Sequence, residues 1–311
     1  MTSKKRPQKV IGIDIGSKTI KMVEVLLSDR PTIIKWASLD NTAGAGLPVE
    51  RSRKELIKLI KKCRKNLKPT TSISSLCLDD PTLLVKELSL PAMGQKELLE
   101  NIRFELSEYF SNNLSEFHFS YRYVKNTNEI KGLTTLLVAA LPLALLSKYT
   151  DMIQSSGLTL KYIDVPANAI SKLLRRIKPN TGVDFGSEIK EVLCIADIGG
   201  RKIDVSIYED GNFVLNKTSV INVDHNPEDC LAAISQVIDY YHRKNYSLRV
   251  LKVMLIGGGA YKEGLSEFLS VQIGLPVEAA KPDMLTTFDK VPDDFPVSIY
   301  FNAIGAAMRE D

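Results

Sequence analysis

Two short stretches decide how this chain reads: residues 11–18, Ile-Gly-Ile-Asp-Ile-Gly-Ser-Lys, and residues 193–200, Leu-Cys-Ile-Ala-Asp-Ile-Gly-Gly. Each ends an apolar run on Asp-Ile-Gly, and each is followed by a small turn and a second strand pattern, Ile20 to Leu26 and Ile203 to Glu209. Runs that are apolar on both faces suit strands buried within a sheet. An aspartate at the tip can hold a hydrated divalent cation, which takes oxygen from one or two carboxylates and keeps several waters. Glycine beside it lets backbone N–H groups approach phosphate oxygens. One such tip carries little weight, because apolar strands also end this way for the turn alone. Two copies, at Asp14 and Asp197, each opening a β-hairpin, carry much more. Asp210-Gly211 between two alternating apolar runs adds a further hairpin signal.

A third element follows the second hairpin. Val250 to Ile256 reads as a strand that exits through Gly257-Gly258-Gly259-Ala260 into a helix over Gly264–Ile273. A glycine-rich exit at a helix N-terminus leaves room for a ribose and a phosphate against backbone, and a tight strand-to-helix turn has the same pattern. Lys21 leaves the first return strand towards the same turn as Asp14.

Working outward, a third strand is expected at Pro31–Leu39, a loop with Gly44, Gly46 and Pro48, a helix over 51–68 and a strand at Ser72–Leu78. The next segment has its own rhythm. Thr82–Leu88 is extended, Gln95–Phe110 is a helix with Leu98, Ile102, Leu106 and Tyr109 on one stripe, and Phe117, Phe119, Tyr121 and Tyr123 alternate along a half-exposed strand. Asn126, Asn128 and Gly132 turn the chain, Leu133–Ala140 pairs back, and Pro142–Ser155 is a helix stopped by Gly157. This β-α-β-β-α run reads as a small inserted α+β domain. Leu158–Val165 and Ala167–Ile177 give a strand and a helix, and residues 179–187 are the best linker. Asn226-Pro227 starts a helix, with Asn as cap, Pro at the first helical position and Glu228 and Asp229 in the first turn. A final helix over Ile299–Met308 holds Ala303, Gly305, Ala306 and Ala307, small enough for close backbone packing.

Composition narrows the class. With 311 residues, 44% hydrophobic and 25% charged, the chain is neither disordered nor collagenous nor a coiled coil. No apolar run approaches the ~18 residues of a membrane span, and basic Met1–Lys9 is followed by no signal-peptide core. The four cysteines show no CxxC spacing, which points to a reducing cytosol. The three histidines have no metal-ligand spacing, and no nucleophilic triad is visible, so no residue is assigned a catalytic role. The net charge of +4 is unevenly placed. Residues 51–68 hold nine basic side chains, Arg51, Arg53, Lys54, Lys58, Lys61, Lys62, Arg64, Lys65 and Lys68, against Glu55 alone, so the remainder carries −4. Leu56, Leu59, Ile60, Cys63 and Leu67 make this an amphipathic helix. Its basic face is either simply solvated, or attracted to an anionic membrane surface, or bound to nucleic acid. No aromatic side chains interleave with the cations for base stacking, which argues against nucleic acid.

The three glycine-bearing elements, in this order and spacing, resemble the phosphate-1, phosphate-2 and adenosine motifs of the actin-like ATPase superfamily. Within it, TLLVKELSLPAM, ELLENIRFELSEYF, FHFSYRYV, LTTLLVAA and GLTLKYIDVPANAI resemble the PilM family of type IV pilus assembly proteins, a relative of the cell-division protein FtsA. The likeness runs from about Lys9 to Met308. It implies an α/β, actin-like (ribonuclease H-like) fold of two lobes with an inserted α+β domain. It also implies ATP with Mg²⁺ as the cofactor. Asp14, Gly16, Ser17, Lys18, Thr19 and Lys21 would then face the phosphates, with Asp197, Gly199 and Gly200 opposite. Asp14 and Asp197 would hold Mg²⁺ through water, and Gly257, Gly258, Gly259 and Ala260 would lie at the adenosine. As partners it implies the N-terminal cytoplasmic peptide of a PilN-like membrane protein and other pilus platform proteins. The protein would then be cytoplasmic and peripheral to the inner membrane.

Two departures from that pattern bear on activity. Asp197 and Gly257 are only 60 positions apart, so the several helices that grip adenine in the family cannot fit, and the adenine-side subdomain is expected to be largely missing. Where the family often shows a Val-Glu-Pro-like turn, this chain reads Asp164-Val165-Pro166, leaving Asp164 as the nearest carboxylate that could orient a water. The expected organisation is a basic tail (1–8), a first lobe (9–80 and 146–178) around an inserted domain (81–145), a linker (179–190), and a second lobe (191–311) with a reduced subdomain at 221–248. The leading expectation is a scaffold with weakened nucleotide binding. The alternatives are a working Mg-ATP switch and an FtsA-like tether, the last disfavoured because no amphipathic helix follows residue 304.

Overall fold

The computed structural model describes residues 8–43, 49–110, 114–124, 132–177, 191–220 and 226–308. The basic tail up to residue 7, the Gly44–Pro48 loop, the turn at Asn126 and Asn128, and the 179–190 linker lie outside them. In chain order come β1 (Gln8–Ile15), β2 (Thr19–Leu27), β3 (Thr32–Asp40), α1 (Val49–Leu67) and β4 (Ile73–Cys77). Next are β5 (Leu84–Pro91), α2 (Gln95–Ser107), β6 (Phe117–Tyr123), β7 (Leu133–Pro142) and α3 (Leu143–Ser155). The chain continues through β8 (Thr159–Asp164), α4 (Pro166–Leu174), β9 (Val192–Ile198), β10 (Lys202–Glu209) and β11 (Asn212–Val220). It ends with α5 (Pro227–Lys244), β12 (Lys252–Ile256), α6 (Leu265–Ile273), β13 (Val277–Ala279) and α7 (Val297–Ala307).

These elements form two compact units, residues 1–79 with 152–311, and residues 80–151. The first unit contains two five-stranded sheets with one topology, β3-β2-β1-β4-β8 and β11-β10-β9-β12-β13. In each, the hairpin strands pair antiparallel, and the fourth and fifth strands add parallel beyond the first. Tight turns permit antiparallel neighbours, whereas parallel ones need a helical crossover, supplied by α1 in one lobe and α5 in the other. Between β11 and β12 the described residues hold that single helix, Pro227–Lys244, with Asn226 Oδ1 accepting from Glu228 N at 3.3 Å as its cap.

Both central strands are buried on both faces: Val10, Ile11 and Ile13 on β1, and Val192, Cys194, Ile195 and Ala196 on β9, are fully enclosed. Helix α1 covers β2 and β3, and α5 covers β10. The other face of the first sheet is closed by α7, which crosses β1, β2 and β4 and runs beside α4. Chain order groups residues 297–307 with the second lobe (191–311), but the packing puts them against the first sheet. The small residues explain how. A Cβ on Gly12 would stand 1.9 Å from Ala303 O, and one on Gly305 would stand 2.3 Å from Ala169 O. Backbone therefore meets backbone at both crossings, and any larger side chain would force the elements apart. All four cysteines are buried free thiols.

The second unit is a three-stranded antiparallel sheet, β5-β7-β6, with α2 against it. Leu98, Ile102 and Leu106 enter a core with Leu88, Leu90, Leu136 and Val138. Tyr109, expected on that stripe, lies beyond the helix end and is 48% exposed, its hydroxyl accepting from Lys86 Nζ at 2.5 Å. Tyr123 likewise departs from the alternation and is exposed, at the last position of β6.

Candidate functional site

The two Asp-Ile-Gly tips are built alike. Gly16 N donates to Thr19 O at 2.9 Å, and Gly199 N donates to Lys202 O at the same distance. Strand register then sets equivalent neighbours. Asp14 lies opposite Lys21 on β2 and Cys77 on β4, whereas Asp197 lies opposite Asp204 on β10 and Ile256 on β12. Leu78-Asp79 therefore corresponds to Gly257-Gly258.

The side chains around these tips form one polar network that joins the lobes. Buried Lys21 Nζ contacts Asp14 Oδ2 at 2.8 Å. Burial alone would lower the Lys21 pKa, but the charges of Asp14 and Asp197 outweigh it and hold the ammonium above its ordinary value. Asn302 on α7 donates from Nδ2 to Asp197 Oδ2 at 2.7 Å. Lys202 Nζ bridges Asp79 of the first lobe at 2.6 Å and Asp204 of the second at 2.8 Å. Asp204 also accepts from Thr218 Oγ1. Burial is the main force on Asp197, pushing its pKa up to about 7, with Asp14 and Asp204 adding to the rise and Lys21 and Asn302 opposing it. Burial also raises Asp79, helped by Asp204 and opposed by Lys202. Four carboxylates thus share two ammonium groups, and the cleft floor has an excess of negative charge that a proton or a cation would relieve.

The residues expected at a nucleotide fall into three groups. Asp14, Gly16, Lys21, Asp197 and Gly199 converge on the network, with Thr19 and its carbonyl closing the first turn. Ser17 and Lys18 are exposed, and the Lys18 chain lies over the second turn, where a Cβ on Gly200 would be 2.3 Å from Lys18 Cγ. The glycine triplet serves packing at two of its three positions. Gly257 takes φ 84°, and a Cβ there would be 2.4 Å from Asp197 Oδ1; one on Gly259 would be 2.3 Å from Ile198 Cγ2. Gly258 alone is open, with nothing within 4 Å, and Ala260 is buried. The triplet leads first into a 3-10 turn at Gly258–Tyr261, and α6 begins only after Gly264.

Among the described residues no group of three or more acidic, cysteine or histidine side chains is arranged to hold a metal directly. The donor set fits Mg²⁺ in the looser sense that this ion requires, with one or two carboxylates and the remaining sites filled by water and phosphate. Asp14 and Asp197 would hold it, and it would relieve the surplus charge. Asp164 is committed elsewhere. Its Oδ1 accepts from Val165 N and Asn168 Nδ2, both at 2.8 Å, and its Oδ2 pairs with Lys172 at 2.6 Å. It tethers the chain entering α4 and anchors Lys172, which also donates to Met308 O, and it is not free to orient a water.

Sequence reading missed Asp79, Lys202, Asp204 and Asn302. Asp204 had a signal, since it occupies the place of Lys21 when the two hairpins are superposed by sequence. Asn302 had none, because nothing local marks a residue on the last helix as a partner of Asp197. On α1, Arg53, Lys54, Lys58, Lys61, Lys62, Lys65 and the following Lys68 are exposed and Arg64 is half-buried; the Arg51 side chain lies outside the described residues. No described helix is long and apolar enough to cross a membrane.

Two lobes of one topology, each opening on an Asp-Ile-Gly hairpin with the cleft between them, define an actin-like ATPase fold. The sequence model of the family described as type IV pilus assembly protein PilM matches residues 12–221, and the chain belongs to that family. Its fold is similar to a solved PilM-PilN type IV pilus biogenesis complex, at 19% identity and a TM-score of 0.73, covering 96% of this chain and 97% of that one. It is also similar to the ethanolamine utilization protein EutJ from Carboxydothermus hydrogenoformans, at 14% identity and a TM-score of 0.50 over 98% and 91% of the two chains. A Bacteroides thetaiotaomicron protein with an actin-like ATPase fold and unknown function matches at 11% identity and a TM-score of 0.49, over 88% and 91%. A comparison with curated proteins finds no match.

Proposed function

We propose that this protein is a scaffold of the type IV pilus assembly platform. In this reading it docks the N-terminal cytoplasmic peptide of a PilN-like membrane protein and meets other platform proteins. It is then held at the inner membrane through those partners, with nucleotide binding weakened. The observation that carries this reading is that protein groups close on both glycine turns: the Lys18 side chain lies over Gly200, and Asp197 Oδ1 packs on Gly257. The single helix between β11 and β12 supports it from the adenine side.

A second reading, a Mg-ATP switch that closes the lobes, is favoured by the surplus carboxylate at the cleft floor. When bound with the nucleotide, the Mg²⁺ ion would supply positive charge between Asp14 and Asp197 and offset part of the phosphates' own negative charge. Titration of a fluorescent ATP analogue with Mg²⁺ separates the two. The scaffold reading expects no saturable binding below millimolar ATP. Micromolar binding that disappears in Asp197→Ala would overturn it in favour of the switch. The partner is tested by pull-down of the full chain with the N-terminal peptide of a co-encoded membrane protein, where retention is expected and its loss would count against the docking role.

A further inference from the structure

Helix α1 carries an arrangement that the cleft does not use. Ile60, Cys63 and Leu67 are buried, and the Cys63 thiol lies against the carbonyls of Ile20 and Ala37. Opposite that apolar face, Lys54, Lys58, Lys61, Lys65 and Lys68 follow one another at spacings of four, three, four and three. On a helix of 3.6 residues per turn Lys54, Lys58, Lys61 and Lys65 share one stripe, roughly 17 Å long at 1.5 Å per residue, and Lys68 follows just past the helix end at φ 47°. All five are exposed, and among the described residues only Lys58 has a carboxylate partner, Glu55 at 3.4 Å. Like charges at i,i+3 and i,i+4 repel and weaken a helix. A stripe built only for folding would intersperse acids, as most exposed helices do.

The carboxyl end of the stripe is shaped as well as charged. Lys61, Arg64, Lys65, Lys68 and Pro69 face the Ser155–Gly157 turn across a cavity of about 740 Å³ that no acidic residue lines. Arg64 forms its floor, with Nη1 3.5 Å from Ser156 O and a buried Nε that has no hydrogen-bond partner. Gly157, at φ 81°, makes room for that guanidinium, since a Cβ there would be 2.8 Å from Nη1. A helix carboxyl end normally repels anions. Here one terminal carbonyl, Arg64 O, accepts from Lys68 N at 3.0 Å, and the Lys68 carbonyl just beyond the helix accepts from Lys35 Nζ at 2.6 Å.

We propose that this stripe and its terminal pocket dock directly on the phosphate headgroups of an anionic phospholipid surface. Four cations spread along roughly 17 Å of helix, with Lys68 just beyond its end, exceed what one soluble phosphate can touch, and an array of headgroups matches their layout. No aromatic side chain in residues 51–68 offers a base a stacking platform. The site lies apart from the cleft, and the proposal goes beyond the pilus reading without depending on it.

Sedimentation of the full chain with vesicles at low salt tests this. Vesicles of roughly seven parts phosphatidylcholine to three parts phosphatidylglycerol are expected to retain the protein, and pure phosphatidylcholine is not. Each stripe lysine adds about fivefold to the partition, so Lys61→Gln with Lys65→Gln is expected to weaken it about 30-fold. A charge-matched control, Arg243→Gln with Lys244→Gln at the exposed end of α5, is expected to change it less than about threefold. Equal loss in both variants would reduce the effect to net charge and overturn the proposal. So would absence of pelleting at low salt, equal retention on neutral vesicles, tighter binding to duplex DNA than to the anionic vesicles, or saturable binding of inorganic phosphate that vesicles do not compete away.

Discussion

The first hairpin, β1–β2, and the second, β9–β10, share a turn hydrogen bond at 2.9 Å, a strand order and an aspartate at the same place, yet they differ in what faces that aspartate. Asp14 faces Lys21 and forms a buried ion pair within its own hairpin. Asp197 faces Asp204, so its own hairpin adds charge where the first one cancels it. The second copy is balanced only in part from within, where Lys202 pairs with Asp204; the rest comes from outside, from Lys21 across the cleft, from Asn302 on α7 and through the Lys202 contact with Asp79. One backbone motif thus serves two purposes. The first copy is self-sufficient, and the second ties the lobes together because it is not.

The sharpest way to break this contrast is at Lys21. Replacing it, as in Lys21→Met, leaves Asp14 buried and unpaired and removes the main positive charge near Asp197. We expect a loss of about 3–5 kcal/mol in urea unfolding. Adding Asp14→Asn should recover most of that loss, and failure of the double variant to recover would show that the pair is not the cause. Next in size is Gly257→Ala, where a positive φ and a 2.4 Å approach to Asp197 Oδ1 together should cost about 3 kcal/mol in thermal unfolding. The register-adjacent Gly258→Ala, in open space, should stay within about 0.5 kcal/mol. Equal effects would mean that the triplet is not shaped by packing on β9.

Asp197 makes a pH-dependent prediction of intermediate size. Folded, it keeps its proton up to about pH 7; unfolded, it releases it near 3.8. Between those values the folded state binds more protons, so this residue's contribution is present below pH 4 and is lost as pH rises through 7. Asp197→Asn should flatten the stability profile across that window and be the more stable form above pH 7, on the order of 2 kcal/mol. An unchanged slope would remove Asp197 as the strained member. The smallest effect belongs to Lys202→Gln. Its bridge is about one-third exposed, so solvent screening limits the loss to about 1 kcal/mol or less, falling further in high salt.

Much of the fold is legible in the sequence alone. The doubled apolar run ending in Asp-Ile-Gly, the Asp210-Gly211 turn and the Asn226-Pro227 helix start are short-range patterns, and each corresponds to an observed element. Tyr109 misled because helical spacing continues past Ser107, while the helix does not. The last helix misled differently. Its small residues announced close packing, but chain position suggested the second lobe, and only the crossing at Gly12 and Ala303 shows that it serves the first sheet.

The candidate site divides along the same line. Asp14 and Lys21, seven residues apart across one hairpin, pair by register alone, and the sequence by itself determined that contact. It also determined the apolar face and the basic charge of α1, because helical periodicity and composition need no partner to be read. Asn302 and Asp197 stand 105 positions apart, and Lys202 reaches Asp79 from the other lobe. These pairings depend on the order of strands in two sheets and on where α7 crosses, and no local pattern encodes either. The tertiary structure decided them because burial leaves a charged group no water to turn to, so its partner is whichever polar atom the packing brings within reach.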